Sequence, residues 1–139
     1  MSYELAASLQ RAVYGRLAGD PELAALVGTA IHDAPRELLG DGAADYVTLG
    51  EESVRPNDTK TSRGAIHDFN IVVHSARDGF DTVKRIAGAV CASLMATPLE
   101  LDAGRLVALR FLLAKADRGP APEKRRVALR FRAVVDQDD

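Results

Sequence analysis

Residues 59–94 read TKTSRGAIHDFNIVVHSARDGFDTVKRIAGAVCASL, and this stretch decides the fold. It opens polar, becomes a strand over 66–75, turns over 76–79 and enters a helix. The strand reading rests on alternation. Phe69, Ile71 and Val73 share one face, while Asp68, Asn70 and His74 share the other with Ile66 and Val72. The helix reading rests on Phe80, Val83, Ile86, Ala87, Val90 and Leu94, which recur three and four residues apart. A strand that feeds an amphipathic helix gives both elements a face to bury, so this pair forms the expected core.

Bulk properties narrow the class around that core. The 139 residues fit one domain, 1–139. A chain of this length buries enough surface to fold without a metal or disulfide. Hydrophobic residues at 47% and charged residues at 27% are ordinary for a globular protein. A net charge of -2 argues against a basic nucleic-acid binder. The single cysteine, Cys91, precludes an intramolecular disulfide, and its helical position marks it as a small buried hydrophobe. The opening MSYELAASLQRAVYGRL mixes charges with apolar residues, unlike a signal peptide, and no run reaches membrane-spanning length. The expected setting is intracellular, or a particle assembled in a cytoplasm.

Outward from the centre, residues 3–18 form a helix with Leu5, Leu9, Val13 and Leu17 as its apolar stripe. Asp20 is an N-cap and Pro21 a first helical residue for a short helix that stops at Gly28. Ile31 begins a short edge strand. The rest of 29–45 is a loop punctuated by Pro35, Gly40 and Gly42. Its scattered acids, Asp33, Glu37, Asp41 and Asp45, lack histidines at metal-ligand spacing. A strand covers 45–50 and is allowed to continue to Val54. The ten residues 55–64, RPNDTKTSRG, then make a polar loop, long for a hairpin.

Beyond the central helix, Thr97-Pro98 is the stop. A strand over 105–115 follows, with Val107, Leu109, Phe111 and Leu113 on one face and Leu106, Ala108, Leu112 and Ala114 flanking Arg110 on the other. Apolar on both faces, it is either central in the sheet or covered on its second face by something else. A polar hairpin loop at 117–124 leads to the last strand, 125–135. The expected fold is α+β, a mostly antiparallel sheet of about four strands with two main helices packed on one face.

No catalytic constellation emerges. His67 and His74 differ in strand parity and make poor joint ligands, and His32-Asp33 has no nucleophile at a recognisable spacing. There is no GxSxG, P-loop, HExxH or CxxC motif. The expectation is no enzyme, no cofactor and no metal. What remains are segments suited to partners. The first loop offers Arg55, Asn57, Asp58, Lys60 and Arg63, and the second Arg118, Glu123 and Lys124. The last strand adds Arg126, Arg130 and Arg132. This arginine face reads as solvated or as a subunit interface, and less readily as a phosphate stripe, because no aromatic residues interleave for stacking.

The order and wording of these elements resemble a known family. The segments are LQRAVYGRLAGDPELAALVG followed by Ile31-His32-Asp33-Ala34-Pro35, DYVTLGEES at 45–53, the central stretch at 59–94, GRLVALRFLLA at 104–114 and RRVALRFRAVV at 125–135. Together they are similar to the tail-terminator (tail-completion) proteins of long-tailed phages, prophages and gene transfer agents. The likeness spans nearly the whole chain and rests on combined order rather than on invariant motifs. It implies a homo-hexameric ring at the head-proximal end of a tail tube, in a virion or phage-like particle assembled in the bacterial cytoplasm. Such a ring stops tube growth and meets the head connector through a stopper protein. DNA passes its channel without sequence-specific binding, and no membrane is involved. The rival readings are a stopper, a tail-tube protein, an unrelated oligomeric scaffold, or a small nucleic-acid-binding module using Arg126, Arg130 and Arg132.

Overall fold

A computed structural model describes residues 3–33, 45–77, 79–119 and 124–137. In chain order the elements are α1 (Ala6–Ala18), α2 (Pro21–Val27), β1 (Ile31–His32), β2 (Asp45–Pro56), β3 (Gly64–Ser75), α3 (Asp81–Ala96), β4 (Arg105–Asp117) and β5 (Arg125–Asp136). The sheet order is β1-β2-β3-β5-β4, all antiparallel except the β1–β2 pair, which is parallel. The fold is therefore α+β, but the sheet is mixed and has five strands rather than four. The fifth strand is the two-residue β1, the short edge strand expected at Ile31 but not counted in the sheet.

The local signals behave as their chemistry requires. The Asp20 carboxylate accepts from the backbone N–H groups of Glu22 (2.8 Å) and Leu23 (3.3 Å), with Pro21 starting α2 and Gly28 ending it at φ 61°. Thr97 ends α3 in an extended conformation, as the following Pro98 demands. Arg16 of α1 binds the freed end of α3, donating to the carbonyl oxygens of Ser93 (2.7 Å) and Thr97 (3.1 Å). Ser8 ties α1 to the turn before β4 through both the N–H and the carbonyl of Ala103, each 3.1 Å away. In that turn Gly104 has φ 75°, and a Cβ there would fall 3.0 Å from the Asp136 carbonyl, so a side chain is excluded by conformation and by space.

The core lies between the helices and one sheet face. Leu5, Leu9, Val13 and Leu17 of the first helical segment, Leu23 of α2 and Val83, Ile86, Val90 and Leu94 of α3 are buried. They meet Val47, Phe69, Ile71, Val73, Val127, Leu129, Phe131, Ala133 and Val135 from the sheet. The expected parity of the central strand holds: His67, Phe69, Ile71 and Val73 are fully or nearly fully buried, and Asn70, Val72 and His74 of the opposite face are half-buried.

One strand boundary is corrected and one open alternative is decided. β2 does not stop at Gly50 or Val54; it runs to Pro56, bulging between Leu49 and Glu52 before it resumes pairing with β3. Its polar second half pairs because β3 supplies the ladder, whatever the side chains. The loop is correspondingly 57–63, seven residues. The strand at 105–117 is not central. β4 is the sheet edge beyond β5. Its two register shifts, between Leu106 and Ala108 and between Phe111 and Leu113, break strict alternation. Leu106, Leu109, Phe111 and Ala114 sit beside core-facing residues of β5. Ala108, Arg110, Leu113 and Lys115 sit beside the opposite set. Val107 and Leu112 are the extra residues of the bulges.

Candidate interface

The surfaces to compare are the two faces and the two ends of the sheet. The helices cover one face. The other is open, and the register brings onto it Arg55 from β2, Asp68 and Asn70 from β3, Arg126, Arg130 and Arg132 from β5, and Arg110, Lys115 and Asp117 from β4. Six cations stand there with two carboxylates, on a chain whose net charge is -2.

Asp68 is the hub of that face. Its carboxylate accepts two hydrogen bonds from Arg132, at 2.8 and 3.0 Å, a fork-to-fork pairing across neighbouring strands. Arg55 lies 3.6 Å away and Arg130 3.9 Å away, and Arg130 also donates to the Asn70 side-chain oxygen at 3.0 Å. The guanidinium groups bury Asp68 to 4% exposure on a face that no helix covers. Hydrogen bonds from Arg132 hold its carboxyl below the usual carboxylate range. At the other end of the face Arg126 forks onto Asp117 at 3.1 and 3.3 Å, lowering that carboxyl in the same way. The expected arginine stripe is thus real. It is stitched by carboxylates 9 and 64 residues away in sequence, a pairing that no local pattern reveals.

The two candidate loops lie at opposite ends of the sheet. Gly64, at the close of the first, sits beside Asp136, which sits beside Arg105. Asp117, at the start of the second, sits beside Arg126, which sits beside His74. About ten residues of strand, or roughly 33 Å, separate them. The first loop is tied down by its own groups. Asn57 N–H donates to the Gly64 carbonyl (2.9 Å), Thr59 N–H to the Ser62 carbonyl (3.0 Å), and Gly64 N–H to the Asp58 carboxylate (3.1 Å). The Arg63 carbonyl accepts from Gln137 N–H at 2.8 Å. Asn57 and Asp58 therefore shape the loop, and the exposed side chains of Lys60 and Arg63 remain at its surface. In the second loop Arg118 is exposed and Lys124 half-buried. Glu123 lies outside the described residues.

Among the described residues no group of three or more His, Cys, Asp or Glu could hold a metal ion. His67 is fully buried against the core, both ring nitrogens lack hydrogen-bond partners, and burial pushes its pKa down despite Glu52 at 3.9 Å. His74 lies on the open face, stacked on Tyr46 with ring centres 4.4 Å apart and 3.1 Å from the Thr48 hydroxyl. Cys91 is half-buried rather than fully buried as expected, and burial raises its thiol pKa. Among the described residues no helix is long and apolar enough to cross a membrane.

The feature missed in the sequence is the β4 edge. Val107, Phe111, Leu112 and Leu113 are 51%, 45%, 36% and 51% exposed. Among the described residues no other strand carries an exposed large apolar side chain. The sequence signal was present in its apolar faces, but only the strand order shows which of the two explanations for them applies.

Comparison with known proteins gives two findings. Residues 11–136 match the family model described as tail completion protein gp17. A chain in a solved structure, the virion of a native gene transfer agent (GTA) particle, is 48% identical. That match covers 97% of this chain and 99% of the other, with a TM-score of 0.88. No curated protein matches significantly.

Proposed function

We propose, from the premise that this chain belongs to the tail completion protein gp17 family and is a structural component of a virion tail or neck, that it is the tail terminator. In this reading a single unit, 1–139, assembles with copies of itself into a six-membered ring. The ring caps the tail tube, halts its growth and presents a surface to the head connector or stopper. DNA passes through the ring without sequence-specific contact. No catalysis is required of such a part.

The observation that carries the proposal is the near end-to-end match to a chain of a gene transfer agent virion, at 48% identity. The geometry supports it. Two polar loops at opposite ends of one rigid sheet suit a ring that touches a tube on one side and a connector on the other. The loop at 57–63, with Lys60 and Arg63, and the loop bearing Arg118 and Lys124 are the proposed contact points. The interlocked Arg55, Arg126, Arg130 and Arg132 suit charge-matched contacts that set register and partner choice.

The test is to mix the protein with tubes of the cognate tail protein and image the tube ends by electron microscopy. A six-fold density at one end, with growth blocked, is expected. Extension of the tubes would make the chain a tube protein, and binding to the connector alone would make it a stopper. The open face raises one rival from another class, a nucleic-acid-binding module. Affinity for DNA that falls steeply with salt, in a chain that ignores tubes, would favour it.

A further inference from the structure

Among the described residues the sheet has two unpaired edges, and they differ in kind. One is β4, thirteen residues long, with Val107, Phe111, Leu112 and Leu113 exposed along it. The other is the second half of β2. β1 pairs only with Val47 and Thr48, so among the described residues no strand lies beside 49–56 on that side. An exposed apolar edge is a standing template for strand addition unless something covers it. From this we infer that β4 of one copy pairs with residues 49–56 of β2 in the next copy, so that the sheets of neighbouring subunits continue into one another.

Three observations favour a second copy as the occupant. The first is strand direction. β2 and β3 are antiparallel, as are β3 and β5, and β5 and β4, so β2 and β4 run in opposite senses. Rotation about a ring axis parallel to the strands preserves those senses, and β4 then meets the neighbour's β2 antiparallel, the sense of every other long pair in this sheet. The second is charge. Arg110 and Lys115 are exposed on the β4 edge, and the 49–56 edge carries exposed Glu51 and Glu52 against one exposed cation, Arg55, which is itself paired to Asp68 at 3.6 Å. The third is shape. β4 and β2 both carry bulges, which hinder pairing with an arbitrary flat strand and select a matching edge. The contact joins two different patches, the heterologous arrangement that a ring requires. The inference rests on the ring proposed above and names the surfaces that build it.

The test uses a Cys91→Ala background with Ser53→Cys and Leu113→Cys combined in one chain, or each alone. Both positions lie on the open face, beside Asp68 and Arg130 respectively. Capped tubes are treated with a flexible bis-maleimide, which tolerates a slip of a residue or two. The double variant is expected to give a ladder from dimer to closed ring, and each single variant none. Dimers from Leu113→Cys alone would show two β4 edges meeting about a two-fold axis and overturn the inference, as would cross-links from Leu113→Cys to the tube protein. No ladder, with six-fold caps still visible at the tube ends, would also overturn it and leave the terminator reading standing. Absence of caps with the unaltered chain would bring down both. A second pair guards against misfolding: Arg110→Glu should lower ring formation about tenfold, and Glu51→Arg in the same chain should restore it. Unchanged ring formation by Arg110→Glu, or no rescue, counts against the pairing.

Discussion

Phe131 and Leu113 lie one strand apart on β5 and β4, and they show how differently one sheet treats its apolar residues. Phe131 is fully buried, with Phe69 stacked 5.6 Å away and Phe111 edge-on at 5.8 Å. Leu113 is half exposed on the open face beside Arg130. The strands β2, β3 and β5 lie under the helices, and β4 meets α3 only near its start, at Leu106 and Leu109, before reaching past it. Apolar character alone does not mark a core; the cover does. Residues of the first kind hold the chain together, and those of the second kind are left at its surface.

The sharpest way to break this contrast is truncation on each side of it. Phe131→Ala should cost the isolated chain about 3–5 kcal/mol in denaturant unfolding, through lost contacts and a residual cavity. A cost under about 1 kcal/mol would mean that the core is not packed as described. The open face should show a smaller effect. Asp68→Asn removes the charge that Arg132, Arg130 and Arg55 share and should cost about 2 kcal/mol, reduced from a fully buried case because the arginines are partly exposed. If Asp68→Asn were neutral, the carboxylate hub would be ornament rather than a tie between strands.

Acid sensitivity sharpens the same division. The His67 pKa is lowered by burial from its ordinary 6.5, so the unfolded chain binds a proton that the folded chain refuses. Stability is therefore full above pH 6.5 and declines as pH falls below it. Asp68 has the opposite chemistry with the same direction: its carboxyl is held below 3.8, so its contribution is present above that value and lost as pH falls through the folded pKa. Denaturant midpoints measured against pH should show a first decline just below 6.5 that His67→Leu removes, and a second, more acidic decline that Asp68→Asn removes. The smallest effect is expected at the edge. Leu113→Ala should change the stability of the isolated chain by less than about 0.5 kcal/mol while weakening its assembly on tubes, read from the fraction of capped ends. A large loss of stability without loss of capping would reverse the assignment of β4.

Much of the subunit was legible before any coordinates, wherever the signal was local. Asp20, Pro21 and Gly28 bracket α2, Thr97-Pro98 ends α3, and the stripes of α1 and α3 mark their buried sides, because caps and periodicity act within a few residues. The second half of β2 was legible only as a continuation allowed to Val54; its bulge and its end at Pro56 are set by pairing with β3. The bulges of β4 left no mark either, so the alternation Val107, Leu109, Phe111, Leu113 put Leu113 on the wrong face and gave Val107 a regular place that the bulge denies it. Of the candidate interface, the residue types in the loops and the last strand were visible. Which of them are tied down, as Asp58 and Arg132 are, and which stand free was not.

The sequence by itself determined the elements, the buried side of each long helix and of β3, and the likeness to tail-completion proteins, since these depend on residue order over short spans and on the succession of segments. Only the tertiary structure decided the order of the strands. That order places β4 at an edge, unites Asp68 with Arg132 and sets the two loops at opposite ends of the sheet. Each of these depends on which distant segments lie side by side, and hydrogen bonds between backbones form that neighbourhood without regard to the side chains that a sequence displays.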